Sequence, residues 1–561
     1  MATARIHWWE ILFWCLVSLL LAVCQVARIG GPRLSYDSYQ YLDIAQHLAS
    51  EGSAQTSIIH FDEERALGRI PAPVSHFPIG YPTLIAGLHL LGIPLTTVVL
   101  IISVVATVGC IPLLVMFSGF LALGPWATRA ALLLWVLNAQ TVEFSVAALS
   151  EPLFTVISLA AVVSIVKGEA TSRTFDIVSG YILVGMAYWV RYSGILLIAA
   201  AGLYALVRCL QNRHRSAWLS GIAACAALAA AQSFRNLSTG GVWHGTTTKS
   251  VFHPISEVAA TMSRSLYHLL FGDAAVLLPA VILLLAVGTI AVLASLLWGF
   301  SIPRRKGSSF ALVSLYSLVY CVGMIFLGLF SVISFGTRMF FPLLPFLILL
   351  IVAWGGSLTV VATGALPHRL ALASALVLGT GTYICLNARS LASPLSPSPH
   401  EDVAQWLGQP LKDGTPMRDW MNQHLPSGQP IVVTEGQPLA YLTGRPVVSL
   451  VSSSFSAQVW DEFAVRSVMQ RYKAQYLVAY TTASPTSFPV QADSVFLAGL
   501  CSTAAPNVPP WLELVADNGA VRAYYCRGCA QVDSSSLQLA PDAGWRCRFI
   551  QGTRFKRMDV D

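Results

Sequence analysis

The chain has 561 residues, with 34 Lys and Arg against 27 Asp and Glu, for a formal net charge of +7 at pH 7. Charged residues make up 11% of it, against roughly 25% in soluble proteins, while the hydrophobic fraction is 55% and the mean hydropathy +0.64. That excludes an ordinary water-soluble fold of three or four domains and points to a lipid bilayer; the basic excess fits cytoplasmic loops rather than nucleic-acid binding, for which no motif is present.

A helix needs about 20 apolar residues to cross the hydrocarbon core. The first run, roughly 8–27, opens on the interfacial pair Trp8-Trp9 and lacks a clear small-x-small cleavage site, so it is expected to be a retained anchor. Further runs fall at roughly 95–119, 127–148, 152–167, 175–190, 193–209 and 216–234. Windows 274–303, 307–337, 339–368 and 370–388 contain no Lys, Arg, Asp or Glu. Eleven spans are therefore expected. Tyr81–Gly92, apolar but closed by Pro94, is too short to cross and reads as an interfacial or re-entrant helix.

With the N-terminus inside, the cytoplasmic connections are Arg129, then Lys167 to Arg173, then Arg208-Arg213-Arg215, then Arg304-Arg305-Lys306, then Arg369. Every one is basic, as the positive-inside rule requires. The outside then receives the loops 28–80 and 235–273 and everything beyond about residue 390. Residues 1–389 form the membrane part, with 21 basic and 13 acidic residues. The segment 390–561 is more polar. It begins with a Pro- and Ser-rich linker (Ser393–Pro399) and continues with alternating helical (Val403–Trp406, Met417–His424, Asp461–Lys473) and strand-like stretches (Ile431–Thr434, Val447–Val451, Tyr476–Tyr480). The expected fold is mainly α: a polytopic transmembrane bundle followed by an extracytoplasmic α/β domain.

Seven of the eleven cysteines lie in or beside spans, and four (Cys501, Cys526, Cys529, Cys547) fall in the outer part. Four there suit disulfides in an oxidising compartment. The rival reading is a zinc site, since Cys526 and Cys529 form a CxxC, but no second pair follows at suitable spacing.

The most informative stretch is Ser35-Tyr36-Asp37-Ser38-Tyr39-Gln40-Tyr41-Leu42-Asp43-Ile44-Ala45-Gln46-His47-Leu48. Apolar residues at 41, 44, 45 and 48 predict a short amphipathic helix along the membrane surface. Asp37 at its start is either an N-cap or a carboxylate base held at the membrane face. This stretch, just after the first span, resembles the first outer loop of the GT-C glycosyltransferases, polytopic enzymes that use polyprenyl-phosphate sugars. So does the loop's end, His76-Phe77-Pro78-Ile79-Gly80-Tyr81-Pro82. Further similarities are Ser150-Glu151-Pro152-Leu153-Phe154, Arg191-Tyr192-Ser193-Gly194, Gly336-Thr337-Arg338-Met339-Phe340-Phe341-Pro342 and, in the outer segment, Ala440–Val448. One departure is Ser38, where many members carry a second acid; it leaves dependence on a divalent cation open.

The resemblance implies sugar transfer from a polyprenyl-phosphate donor to a hydroxyl acceptor on protein, lipid or polysaccharide, and places donor contacts near His76. The chemistry runs in parallel. A hydroxyl is a poor nucleophile near neutral pH and needs a positioned base, and a departing phosphate needs a cation beside it. Outer-facing carboxylates are Asp37, Glu143 and Glu151; outer-facing cations are Arg191 and Arg338, with Arg235 and Lys249 in the second loop. Asp37 is the candidate base, and Arg338 and Arg191 the candidates for the phosphate.

Each is weighed against a plainer reading. Glu143 sits inside the third span near its outer end, where a carboxylate is costly unless it lines a cavity, so there the functional reading is favoured. Glu151 before Pro152 suits a helix start, the arginines could snorkel, and His76 could be an ordinary loop histidine. A transporter or flippase is the competing class, against which stand the asymmetric first loop and the lack of an inverted repeat of broken helices. A non-catalytic scaffold is the third. The only N-glycosylation sequon, Asn236-Leu237-Ser238, is expected outside, and the lack of a C-terminal retrieval signal favours a bacterial plasma membrane.

Overall fold

The computed structural model describes residues 6–60, 66, 68–74, 76–211, 214–240, 243, 252–272, 307–330, 336–361, 381–392, 398–450, 460–481, 494–502 and 506–529. The expected span at 274–303, the basic loop Arg304–Lys306, Arg369, Lys249, most of the linker and Cys547 lie outside them. The described chain is mainly helical, with a six-stranded sheet built largely from its C-terminal part.

The first long helix, α1 (Trp8–Ile29), ends on Gly30, whose φ of 78° is the left-handed conformation a helix stop requires. Ser35 then caps α2 (Tyr36–Glu51), its backbone N–H donating to Ser38 Oγ at 2.9 Å. The expected helix is present, but the cap is Ser35, so Asp37 is freed for another role in the first turn. Nor does α2 simply lie along a membrane surface. Tyr39, Tyr41, Leu42, Ile44 and Ala45 are all buried, because the helix is covered on several sides.

Three short strands follow: β1 (Gln55–Thr56), β2 (Ile58–Ile59) and β3 (Ala72–Pro73), with β1 and β3 antiparallel. Then comes α3 (Gly80–His89), ten residues long and too short to cross, as expected for this stretch. A Cβ on Gly80 would stand 2.6 Å from the carbonyl oxygen of Trp189. Only glycine lets α3 settle on the backbone two residues before Arg191.

The bundle continues with α4 (Leu95–Phe120), α5 (Pro125–Val136), α6 (Ala139–Ser145), α7 (Glu151–Thr171), α8 (Thr174–Val190), α9 (Gly194–Leu210), α10 (Arg215–Gly240), α11 (Ile255–Phe271), α12 (Gly307–Phe330), the single turn α13 (Thr337–Phe340) and α14 (Leu344–Val361). A further helix, α15, runs over 381–392. Six described helices are long and apolar enough to cross a membrane, and α8 and α9 have 17 residues each.

Two expectations are corrected. The expected third span is interrupted: α5 stops at Val136 and α6 restarts at Ala139. A broken helix among lipid-facing neighbours leaves backbone groups that must be satisfied within the protein, and side chains satisfy them. Asn138 Oδ1 accepts from Thr141 N–H at 3.0 Å, Asn387 Oδ1 accepts from Ala139 N–H at 2.7 Å, and the Tyr383 hydroxyl donates to Leu134 O at 2.6 Å. Second, the stretch 235–273 is not simply a loop. α10 runs on to Gly240, and α11 packs its buried Val258, Leu266 and Leu269 inward, tied by Asn138 Nδ2 donating to Leu269 O at 2.8 Å. The sequon falls on α10, where buried Asn236 donates to the Tyr192 hydroxyl at 2.9 Å.

Opposite the end formed by Ser150, Arg191 and Arg338, ion pairs close the bundle: Arg129 with Glu10 at 2.7 Å, Lys167 with Asp176 at 3.0 Å, and Arg208 with Glu169 at 3.2 Å.

The C-terminal part contributes α16 (Pro399–Gly408), α17 (Met417–His424), β4 (Ile431–Val433), α18 (Gln437–Thr443), β5 (Val447–Ser449), α19 (Glu462–Arg471), β6 (Tyr476–Tyr480), α20 (Val495–Cys501), β7 (Leu512–Asp517) and β8 (Val521–Cys526). The sheet order is β2-β5-β4-β6-β8-β7, parallel from β2 to β6 and antiparallel at β8 and β7. Its edge strand β2 comes from the first outer loop, Ile58 pairing with Val447. Cys526 and Cys529 form a disulfide, while Cys501 is buried and has no disulfide partner among the described residues.

Replacing Asn138 by Ala removes the side chain that bridges the break and α11. The expected cost is about 1–3 kcal/mol for the backbone groups left unsatisfied, read as a lower apparent melting temperature in lipid nanodiscs. An unchanged melting temperature would mean that the break is held by other contacts.

Candidate functional site

The charged side chains converge where four separate segments meet. Asp37 enters from the first turn of α2, where the helix dipole favours a carboxylate. Glu151 is the first residue of α7, with Ser150 before it and Pro152 in the first turn. Arg191 stands in extended backbone in the three-residue turn between α8 and α9. Arg338 is the second residue of α13.

Arg338 is the bridge. Its Nη2 lies 2.5 Å from Asp37 Oδ2 and its Nε 3.7 Å from Glu151 Oε1. Arg191 Nη1 reaches the same Glu151 oxygen at 2.7 Å and donates to Ser150 Oγ at 3.0 Å. The Tyr41 hydroxyl is 3.2 Å from Ser150 Oγ, tying α2 to the start of α7. Glu151 is completely buried, whereas the side chains of Asp37 and Arg338 retain 18% and 36% exposure. Exposure thus rises from the buried carboxylate of Glu151 to Arg191 and Asp37 and is greatest at Arg338, so solvent reaches one side of the cluster.

Burial alone would raise the Asp37 carboxyl. The field of Arg338, its hydrogen bond, and the further fields of His76 and Arg191 outweigh that and hold it below the usual carboxylate range. His76 therefore belongs to the same neighbourhood, its ring 4.6 Å from that of Phe77. So does His60, which the sequence did not single out. Burial, helped by the charge of His76 and opposed by Asp37, pushes its imidazole down to about 3, so at neutral pH it is an uncharged group.

Glu143 is held differently. It is ion-paired with Arg33, and Arg33 is itself joined through its backbone to Val146 and Ala148. Arg235 lies on α10, half-buried, with Asn236 Oδ1 at 3.4 Å. Among the described residues no three of His, Cys, Asp and Glu gather as a metal-binding group; the cations within the cluster are the guanidiniums of Arg191 and Arg338.

The outer segment also reaches the site. The Tyr39 hydroxyl accepts from the His400 backbone N–H at 3.0 Å and lies 3.0 Å from its Nδ1, and the Tyr441 ring lies tilted beside that of Tyr39 at 5.3 Å. Glu435, just past β4, bonds to the hydroxyl of Tyr36, the neighbour of Asp37. No motif marked Glu435 in the sequence; the one signal was a lone acid directly after a strand-like run.

No protein-family model matches the chain, and no curated protein matches it in sequence. Solved structures do match in fold. ArnT from Cupriavidus metallidurans bound to undecaprenyl phosphate superposes with a TM-score of 0.53 at 12% identity, over 93% of this chain and 99% of that one. The Archaeoglobus fulgidus oligosaccharyltransferase complexed with zinc and sulfate gives 0.52 at 12% identity, over 84% and 67%. The arabinofuranosyltransferase AftD from Mycobacteria gives 0.51 at 13% identity, over 95% of this chain and 42% of that one. All three are GT-C glycosyltransferases, and the fold of this chain is the GT-C fold.

Burial raises the Glu435 carboxyl to about 7, against the lowering effect of its bond from Tyr36. Unfolded, it titrates at the ordinary glutamate value. Between the two the folded chain holds the extra proton, so stability is greatest in mild acid and falls as pH rises toward neutrality. The total fall is about 3 kcal/mol. Glu435→Gln should flatten that slope in apparent melting temperature against pH, and the same slope in the variant would show that other groups set it.

Proposed function

We propose that this protein is an integral-membrane glycosyltransferase that moves a sugar from a polyprenyl-phosphate donor to a hydroxyl acceptor at the outer membrane face. The observation that carries the reading is the Asp37–Arg338–Glu151–Arg191 cluster at one end of a GT-C bundle. A lipid-linked donor keeps its tail in the hydrocarbon and its phosphate and sugar in water, so its reacting bond lies at the height of such a cluster. A transporter would instead gather polar groups near the midplane.

The reaction follows from the side chains. The acceptor oxygen attacks the anomeric carbon on the face opposite the phosphate, forming the new glycosidic bond as the carbon–oxygen bond to phosphate breaks. The configuration inverts. Asp37 takes the hydroxyl proton, and the released polyprenyl phosphate keeps the bonding electron pair as added negative charge, beside Arg338 and Arg191. In the resting state two guanidiniums face two carboxylates, and Asp37 is too well stabilised to be a strong base. When a donor phosphate engages Arg338, that guanidinium is shared, and the affinity of Asp37 for a proton rises where it is needed. His76 and the Arg33–Glu143 pair flank the donor side, and the acceptor, whether on protein, lipid or polysaccharide, approaches past Tyr36 and Tyr39.

Asp37→Asn should lower transfer by about 10²- to 10⁴-fold with insertion unchanged, measured with a radiolabelled polyprenyl-phosphate sugar in membranes; full activity would remove Asp37 from the mechanism. Because Arg338 holds the Asp37 carboxyl down, Arg338→Gln should move the acidic limb of the residual rate to higher pH. An unmoved limb would separate Asp37 from the titration.

The cell location proposed is a bacterial plasma membrane, with the N-terminus cytoplasmic and the C-terminal part outside. The basic connections and the Cys526–Cys529 disulfide support it. A reporter fused at residue 400 should be active only outside, and cytoplasmic activity there would invert the whole threading.

A further inference from the structure

A second group of buried polar atoms lies where β4 and β6 part. β4 is flanked by β5 on one side and β6 on the other, all three parallel. The chain leaves β4 toward β5 and later returns to the opposite side at β6. At such a reversal of winding a crevice forms outside the carboxyl ends of the strands, the place where α/β sheets hold ligands.

The residues at those ends are Glu435 and Gln437, just past β4, and Tyr480, the last residue of β6. Among the described residues, Glu435 Oε1, Gln437 Oε1 and the Tyr480 hydroxyl have no hydrogen-bond partner, although the three residues are only 4%, 1% and 1% exposed. Buried polar atoms are normally satisfied, so three unsatisfied ones beside a strand reversal point to a missing occupant. Glu435 and Tyr480 feel each other electrostatically, and both face Tyr36 of α2. The Trp406 ring stands 5.4 Å from the Tyr480 ring.

The combination is chemically selective. A carboxyl, an amide and a phenol supply acceptors and donors together, which suits hydroxyl groups that do both. Aromatic walls with a few placed polar groups suit a ring whose flat face is C–H. An anionic ligand would meet Glu435.

We propose that the carboxyl ends of β4 and β6, with Tyr36 and Trp406 beside them, form a binding site for a neutral sugar ring, so that the acceptor is itself a glycan. The word acceptor rests on the transferase reading; the sugar site does not. Tyr36 precedes Asp37 directly, so a glycan held there would present a hydroxyl toward the base from the outer-domain side.

The test uses the full chain in lipid nanodiscs free of sugar detergents, with methyl glycosides of common hexoses and pentoses as probes in saturation-transfer NMR. At least one glycoside should receive saturation on its ring protons. The signal should be lost in the Glu435→Gln/Tyr480→Phe double variant, whose shape is conserved, and kept in Asp37→Asn. No transfer to any glycoside in the wild-type chain, or a signal that survives the double variant, overturns the site. If the glycosides bind as expected while Asp37→Asn retains sugar transfer, the sugar site stands and the mechanistic reading falls.

Discussion

A carboxylate with no solvent exposure, at the end of a membrane helix, is the constraint from which the rest of this structure follows. Glu151 costs several kcal/mol to bury as an ion unless opposite charge is brought to it. The compensation comes from two guanidiniums on different segments, Arg191 between α8 and α9 and Arg338 on α13. Each must be delivered accurately. Arg191 is placed by the short turn and by α3 lying against Trp189, which only a glycine at position 80 permits. Arg338 is placed because a single helical turn precedes the buried Phe340 and Phe341. One buried acid therefore fixes the mutual position of helices far apart in sequence.

The same constraint shapes Asp37. Arg338 has more than one anion to serve, and its second is the carboxylate of α2. A carboxylate so well paired is ionised but weak, which for the base of the proposed reaction looks like poor design for proton abstraction. It is reasonable if the cation is on loan. In the proposed reaction a phosphate diester would bring its own negative charge and compete for Arg338, so that loading of the donor and activation of the base would be one electrostatic event.

How far this was readable from the sequence depends on the kind of signal. Asp37, Glu151, Arg191 and Arg338 stand out because a charge at an apolar segment's outer end has to be explained, and all four meet. Glu143 stood out for the same reason, yet its partner Arg33 reads as one more basic loop residue. The break at Asn138 was hidden because hydropathy is blind to a single polar residue inside an apolar window, and its satisfaction comes from Asn387, about 250 positions away. α11 was missed because it is amphipathic rather than apolar. His60 and Glu435 carry no local pattern at all, and acquire their character only from burial by other segments. The span count suffers from length, since the 17-residue helices α8 and α9 sit at the short end of what crosses a bilayer.

The outer segment then has a physical reason to exist. For the proposed base, a surface loop would leave the carboxylate to wander, and about an ångström of misplacement is enough to cost two orders of magnitude in rate. α2 is instead clamped from both sides. Tyr41 bonds to Ser150 at the head of α7, while Tyr39 bonds to His400 and the strand β2, six residues beyond Gly52, is built into the outer sheet. The first outer loop is thus the shared wall between bundle and sheet, and Asp37 stands on it with its neighbours facing both ways. Tyr36, the neighbour of Asp37 on α2, bonds to Glu435 just past β4, so the sheet that steadies α2 also borders the end of the helix that carries Asp37.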